Sequence, residues 1–170
     1  VKIANPRQAD EDDYYVQFNG ENGQSGIGQW TECAEPGIVK SLTASTMPHI
    51  LQRQADGDFL VKQYVYSDRD IGDDVTNPIP SFVGSKINKV IFFRNRLVLL
   101  AGENVVCSRP GSIAEPNFWS DSALITSAID PIDISCASTY PSDLYDAIEL
   151  NTGLLCFSTN AQFLLSADDT

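Results

Sequence analysis

Reactive side chains are scarce in this sequence. Only one of its 170 residues is histidine, and its four cysteines lie far apart in the chain. Catalysis by a Ser or Cys triad would need His49 as the base, and the Gly-x-Ser-x-Gly pattern of many hydrolases does not occur. Because no Cys-x-x-Cys pair occurs, a structural zinc site is not expected either. These absences predict a protein that is not an enzyme and holds no cofactor, with free cysteine thiols.

Long apolar stretches are also absent. No run of about 18 apolar residues occurs, so no membrane-spanning helix is predicted. The glycine-rich segment 20–28 lacks both Gly-x-Gly-x-x-Gly and a following Lys-Ser or Lys-Thr, which argues against a phosphate-binding loop. The chain has no starting Met and stops just after a strand-like run, so we expect a fragment of a longer protein.

Basic residues are missing from the last third of the chain. No Lys or Arg follows Arg109, whereas nine acidic residues do, and the net charge is −12. Such a balance argues against a general nucleic-acid-binding protein. Five bases and one acid lie between Val75 and Ala114. This separation fits either an ordinary solvated surface or basic edges that meet acidic edges of neighbouring subunits.

Two acidic clusters could be taken for functional sites. Four acids lie within residues 68–74, but a calcium loop starting at Asp68 would need Gly and Glu where Asp73 and Ile79 stand. The sequence favours a turn whose carboxylates cap backbone N–H groups and pair with Arg69, with a weak divalent-cation site as the alternative. Asp130 and Asp133 suit a turn that enters a strand better than a glycosidase pair.

Short apolar runs between turn residues dominate what is present. Val90–Phe93, Leu97–Ala101 and Val105–Cys107 are separated by polar corners at residues 94–96 and 102–104. Runs of this length, rich in Val, Ile and Phe, are typical of strands. The Gly-Glu-Asn corner suits a tight hairpin. The sequence therefore predicts a three-stranded antiparallel meander.

Further hairpins are expected on both sides of the meander. Asp56-Gly57 between two alternating runs is a strong hairpin signal. Neither face of that hairpin is cleanly apolar, so we expect a cover on both faces, with a neighbouring subunit as one candidate. Leu144 and Ile148 have helical spacing, which predicts one short helix within Ser142–Leu150. The predicted paired runs are 14–18 with 29–34, 48–54 with 58–66, and 153–158 with 162–167.

The chain divides most naturally at the acidic, proline-containing segment 67–80. Pro78 and Pro80 keep that segment extended and remove hydrogen-bond donors. We expect an N-terminal β-hairpin module of residues 1–72 and a β-meander module of residues 73–170, truncated at its C-terminal end. The fold class is therefore mainly β, built from antiparallel hairpins and meanders with one short helix.

Several motifs occur together in one order. They are Met47–His49, Gly72–Gly84, Phe92–Leu97, Gly102–Arg109, Asn117–Trp119 and Asp130–Asp133. On these motifs the chain resembles the tail tubular protein B family, the nozzle proteins of short-tailed bacteriophages (podoviruses). The resemblance implies a propeller-like β region and a ring, a hexamer of identical subunits, that conducts phage DNA. It also implies contacts with a tail adaptor protein and tail fibres, a place in the virion, and assembly in the host cytoplasm.

Arg94, Arg96 and Arg109 are the candidate functional residues. One interpretation gives them a subunit-interface or DNA-facing role. The other is surface solubility or internal salt bridges to Asp73 and Asp74. Truncation of Arg96 would separate the two interpretations.

The aromatic residues of the chain would also fit a second class of function, carbohydrate recognition. Trp30, Tyr64, Tyr66 and Trp119 could form an aromatic platform of a carbohydrate-binding or glycan-cleaving β domain. That alternative needs these rings exposed, and β architecture alone does not establish a function.

Overall fold

The computed structural model describes residues 1–4, 13–23, 25–111, 114–136 and 138–166. Over these ranges the fold is mainly β, as predicted, and its one helix is a short 3-10 turn, Ala44–Thr46. The strands are β1 (Lys2–Ile3), β2 (Tyr14–Gly20), β3 (Gly28–Cys33), β4 (His49–Arg53), β5 (Phe59–Gln63), β6 (Ile87–Phe93), β7 (Arg96–Ala101), β8 (Asn104–Cys107), β9 (Ile132–Ser135), β10 (Leu144–Leu150), β11 (Gly153–Ser158) and β12 (Gln162–Ser166). No helix within these ranges has the length or apolar character needed to cross a membrane.

The described strands form antiparallel sheets that follow chain order. Their orders are β1-β2-β3, β4-β5, β6-β7-β8-β9 and β10-β11-β12. Each sheet is therefore built from neighbouring segments, as expected when tight turns separate the strands.

The predicted meander is confirmed and makes up most of the four-stranded sheet. β6 pairs with β7 and β7 with β8, and β9 adds to the free edge of β8. Ala101 pairs with Asn104 around the predicted corner. Gly102 in that corner has a φ of 56°, a left-handed conformation that glycine adopts without steric cost.

Both faces of strand β7 are buried, which explains why β7 is apolar at successive positions instead of alternate ones. The side chains of Val98, Leu99, Leu100 and Ala101 have no exposed surface. Leu99 and Ala101 belong to one core cluster, and Val98 and Leu100 belong to a second cluster on the opposite face. Burial of a Val or Leu side chain contributes about 1.5–3 kcal/mol, so this strand contributes heavily to stability.

The first core cluster joins residues from both sides of the predicted module boundary. Its buried members are Met47, Tyr64 and Tyr66 together with Phe82, Leu99, Ala101, Val106 and Phe118. The Phe118 ring centroid lies 5.1 Å from that of Phe82 and 6.3 Å from that of Tyr66. The division into modules 1–72 and 73–170 stays a prediction, and this core is where the two modules would meet.

The second core cluster lies between two sheets. Leu100 and Val105 of the four-stranded sheet pack with Leu154 and Cys156 of β11. The sheet β10–β12 therefore stacks on the meander face to face, an arrangement that buries alternate residues of each sheet.

The predicted N-terminal hairpins are confirmed. β2 pairs with β3, and β4 pairs with β5 around a turn in which Gly57 has a φ of 98°. β1 lies at the edge beside β2, as expected for the first residues. Residues 5–12 and 167–170 lie outside the described ranges.

The predicted helix over Ser142–Leu150 is wrong, because strand β10 occupies this segment. Leu144 is buried but Ile148 is 53% exposed, so the two residues at helical spacing do not share a face. Pairing with β11 supplies the backbone hydrogen bonds that a helix would make internally. Ser142, at the start of the segment, donates its backbone N–H to Glu103 Oε1 at 2.7 Å.

Candidate assembly surface

Arg94 lies at the tip of the β6–β7 hairpin. Phe93 pairs with Arg96, which leaves Arg94 and Asn95 as a two-residue turn with φ angles of 46° and 61°. Positive φ at both positions is the geometry of a type I′ turn. The Arg94 guanidinium carbon lies 5.4 Å from the Phe93 ring centroid. No carboxylate pairs with Arg94 in the described part of the chain, so its charge faces solvent.

Arg96 points away from Arg94 and binds three backbone carbonyls. Its Nη1 donates to Ser108 O at 2.8 Å and to Asp130 O at 2.7 Å, and its Nη2 donates to Ala128 O at 2.8 Å. Burial lowers the pKa of Arg96 from its ordinary value. Arg96 therefore holds the segment before β9 against the end of β8, which is a structural role.

Arg109 holds the same segment at a second point. Its Nη2 forms an ion pair with Asp121, and its Nε donates to Ile129 O at 3.4 Å. Salt bridges to Asp73 and Asp74, one of the alternatives left open for these arginines, are not what Arg96 and Arg109 form, because both use these other partners. The three predicted residues thus differ in their surroundings. Arg96 and Arg109 hold an internal loop in place, whereas Arg94 is exposed. An interface or DNA-facing role for them stays a prediction.

The acidic segment 68–74 forms the predicted capping turn. Asp73 Oδ1 accepts hydrogen bonds from the backbone N–H groups of Val75 at 3.0 Å and Thr76 at 2.9 Å. Burial alone would raise the pKa of Asp73, but these hydrogen bonds outweigh it, and the pKa lies below its ordinary value. Asp74 pairs with Arg69 at 2.9 Å. No cluster of three or more His, Cys, Asp or Glu side chains suited to a metal occurs among the described residues.

Asp130 and Asp133 stabilise the approach to β9, as the sequence predicts. Asp130 accepts hydrogen bonds from Ser120 Oγ at 3.0 Å and from the Ser127 backbone N–H at 2.7 Å. Asp133 accepts the Ser81 backbone N–H at 2.7 Å. Both carboxylates therefore have a structural role, since they hold neighbouring backbone and side-chain groups in place.

His49 lies on the exposed strand β4, with Nδ1 2.9 Å from the Met47 carbonyl. The four cysteines are free thiols, as predicted. Burial raises the pKa of Cys107 and of Cys156 to about 11, so both thiols are uncharged at neutral pH.

The four aromatic residues of the predicted sugar platform do not share a surface. Tyr64, Tyr66 and Trp119 are buried, because they pack in the interior around the first core cluster. Trp30 is exposed and lies beside Phe18, with 5.3 Å between ring centroids. A single exposed aromatic pair remains, so the observation that would favour the carbohydrate alternative is missing.

The hairpin β4–β5 is largely exposed. Every residue of β5 is exposed. Leu51, Phe59 and Val61 are 64–66% exposed and share one face, because Leu51 lies directly opposite Val61 and strand residues two apart point the same way. The sequence predicted a cover on both faces of this hairpin. Ile50 on one face packs against the first core cluster, whereas the described residues do not cover the face of Leu51, Phe59 and Val61.

A groove of about 720 Å³ lies at the base of this hairpin. Its walls are the segments 39–48 and 79–87 together with Val90 of β6. Val39, Ile79 and Val83 line it and remain partly exposed. Sequence reasoning missed this groove, because its walls come from three segments that only the fold brings together.

The outer face of the β10–β12 sheet is also apolar. Ile148, Leu155 and Leu164 are direct neighbours across the three strands, and Ile148 and Leu164 are about half exposed. An antiparallel sheet that faces water usually has polar residues on that side. Exposed apolar surface of this kind is typical of interaction sites.

Comparison with known proteins places these surfaces in context. The family model described as bacteriophage nozzle protein matches residues 1–170. Tail tubular protein gp12 of Escherichia phage T7 is 40% identical over 170 residues. The match covers all of this chain, and the chain spans 20% of the length of that relative.

Proposed function

Because the chain belongs to the bacteriophage nozzle protein family, we propose that it is a structural part of a phage tail. The match over the whole chain and the 40% identity to a tail tubular protein carry this proposal. The protein would act without catalysis, as one subunit of a six-membered ring in the virion that conducts DNA. Its neighbours would be a tail adaptor protein and tail fibres, and assembly would take place in the host cytoplasm.

The charge distribution supports a conduit for DNA. No Lys or Arg follows Arg109. Among the acids of that region, Glu115, Asp143 and Glu149 are exposed, and no described base pairs with them. Carboxylates on a channel wall repel phosphates, so the duplex would pass without binding. We propose that these acids face the channel.

The layered sheets support a propeller-like arrangement. The β10–β12 sheet packs one face on the meander, while Ile148 and Leu164 leave its other face apolar and exposed. In a propeller, successive sheets are arranged around a central axis and pack against one another, so their apolar faces are covered. We therefore propose that a further sheet covers this face in the assembled protein.

Two measurements test the proposed function. The protein, expressed from its complete reading frame, should have the mass of a closed ring in native mass spectrometry, six subunits being expected. A monomer at micromolar concentration would contradict the ring. Cryo-electron microscopy of the tail should show Glu115, Asp143 and Glu149 on the channel wall, and outward-facing carboxylates would contradict the conduit mechanism.

A further inference from the structure

The hairpin β4–β5 leaves one of its two faces apolar and exposed. It is a two-stranded sheet with no third strand among the described residues. An isolated hairpin of this kind is marginally stable in water. Its face of Leu51, Phe59 and Val61 is also the kind of exposed apolar surface that another molecule usually covers.

The groove at the hairpin base is concave and apolar, so it complements the projecting apolar face of the hairpin. Its volume, about 720 Å³, lies in the range of protein pockets that enclose apolar groups. Its lining includes Ile79, Val83 and Val90, and its one charged lining residue is Lys86. The groove can therefore accept apolar side chains together with one negative charge.

The hairpin tip cannot fill the groove of its own chain. Met47 and Pro48 line the groove immediately before β4 begins. Phe59 pairs with Arg53 at the far end of the hairpin. A five-residue strand is about 17 Å long, so Phe59 is held at about that distance from the groove wall. The matching surfaces can meet only between two copies.

Charge at the two surfaces is complementary. Asp56 and Asp58 flank the glycine at the hairpin tip and are exposed, and Lys86 is exposed at the groove. None of the three forms an ion pair within the described ranges. Insertion of the tip would bring opposite charges together, which selects the orientation of the contact.

We propose that the β4–β5 hairpin of one copy inserts into the groove of the next copy, with Phe59 in the groove and Asp58 beside Lys86. The contact is heterologous, since different surfaces of the two copies meet, and repetition of such a contact closes into a ring when the rotation allows. The proposal rests on the proposed ring and names the surfaces that build it.

Mixed cysteine cross-linking tests the contact directly. One preparation from the complete reading frame has Phe59→Cys, a second has Val83→Cys, and both are dissociated, mixed, reassembled and oxidised. A disulfide-linked pair containing one chain of each kind is expected. The unsubstituted protein controls for native cysteines, which include the four free thiols described above. Rings without mixed pairs would overturn the proposed contact, and so would an internal disulfide in a chain that has both substitutions.

Substitutions on the two hairpin faces provide a matched comparison. Phe59→Ser should weaken ring association roughly tenfold or more, as loss of a buried aromatic anchor does. Leu60→Ser, a neighbouring exposed residue on the opposite face, should have much less effect. Asp58→Lys should weaken the ring, and Lys86→Asp in the same chain should restore it. Equal effects of Phe59→Ser and Leu60→Ser would overturn the assignment. Failure of the unsubstituted protein to form a ring would instead overturn the proposed function.

Discussion

The guanidinium carbon of Arg69 lies 5.0 Å from the ring centroid of Trp119, and both side chains are buried. Arg69 Nη1 donates to Asn77 O at 2.8 Å, and Nη2 donates to Val39 O. One arginine thus joins three segments that are far apart in the chain. Its Nε has no hydrogen-bond partner, so the ion pair with Asp74, the stacking on Trp119 and the carbonyl contacts together must offset the cost of burying this charge.

Replacement of Arg69 by Ala is expected to reduce the free energy of unfolding by about 3 kcal/mol, because buried carbonyls lose their donors. Arg69→Lys should recover little of this loss, since an ammonium cannot reproduce the planar fork. Urea unfolding of the chain measures the change. Arg94→Ala is the control, because Arg94 is exposed. Equal midpoints for the Arg69 and Arg94 variants would contradict the structural role.

Arg96→Ala and Arg94→Ala should separate stability from assembly. Arg96→Ala removes donors from three carbonyls, so it should lower the melting temperature and speed hydrogen exchange in residues 121–131. Arg94→Ala should change neither. If Arg94 has the predicted interface role, its substitution should reduce ring formation at unchanged stability. Unchanged exchange in Arg96→Ala would contradict the bracing of this segment.

Asn95→Gly should stabilise the chain. Asn95 has a φ of 61° at the second position of the type I′ turn, where glycine is the preferred residue. Removal of the left-handed strain should raise the free energy of unfolding by about 0.5–1 kcal/mol. Thermal unfolding measures the gain, and Asn95→Ala, which keeps the strain, is the matched control. A lower stability for the glycine variant than for the alanine variant would be inconsistent with this turn.

Asp73 should make stability depend on pH at the acid end. Its pKa in the folded chain lies below the ordinary value of 3.8. The stabilisation is therefore present above about pH 3.8 and is lost as the pH falls through the folded-state pKa. Asp73→Asn should flatten the loss of stability below pH 3.8 in urea titrations. The same slope in both proteins would exclude the hydrogen-bonded carboxylate as its cause.

Cys107 and Cys156 should make stability fall at the alkaline end. Burial raises the pKa of both thiols from 9.0 to about 11. The unfolded chain loses these protons first, so their contribution is complete below pH 9 and declines from pH 9 to about 11. A chromogenic disulfide reagent at pH 8 should react with neither thiol in the folded chain and with both in urea. Mass mapping of the labelled peptides identifies them, and rapid labelling of either one in the folded chain would contradict this burial.

The sequence predicted hairpins correctly where the turn contained residues that readily adopt positive φ. Asp56-Gly57 and the corner at Gly102 gave the correct hairpins because positive φ is nearly confined to glycine, asparagine and aspartate. The β10 segment was misassigned because its helical spacing was only a local preference. Edge pairing with β11 and burial of Leu144 are tertiary effects that override such preferences.

The candidate site was harder to predict than the fold. Arg96 and Arg109 looked like surface charges, since the carbonyls they bind lie about twenty or more residues away or across the sheet. Arg69 was predicted to pair with an acid of its own turn, but its contact with Trp119 has no sequence signal. The groove at the hairpin base is a product of three segments, so no pattern in one stretch indicates it.

The strand β7 is enclosed by a layer on each side, with Val98–Ala101 inaccessible to water. Its backbone pairs with β6 on one side and β8 on the other within this core, so its amide hydrogens should exchange only when the core opens, whereas the β4–β5 hairpin can open while the rest stays intact. Local opening of the chain should therefore begin at this hairpin and leave β7 paired. Exchange of the β7 amides should thus report unfolding of the whole core, whereas exchange in the hairpin should report only its local opening.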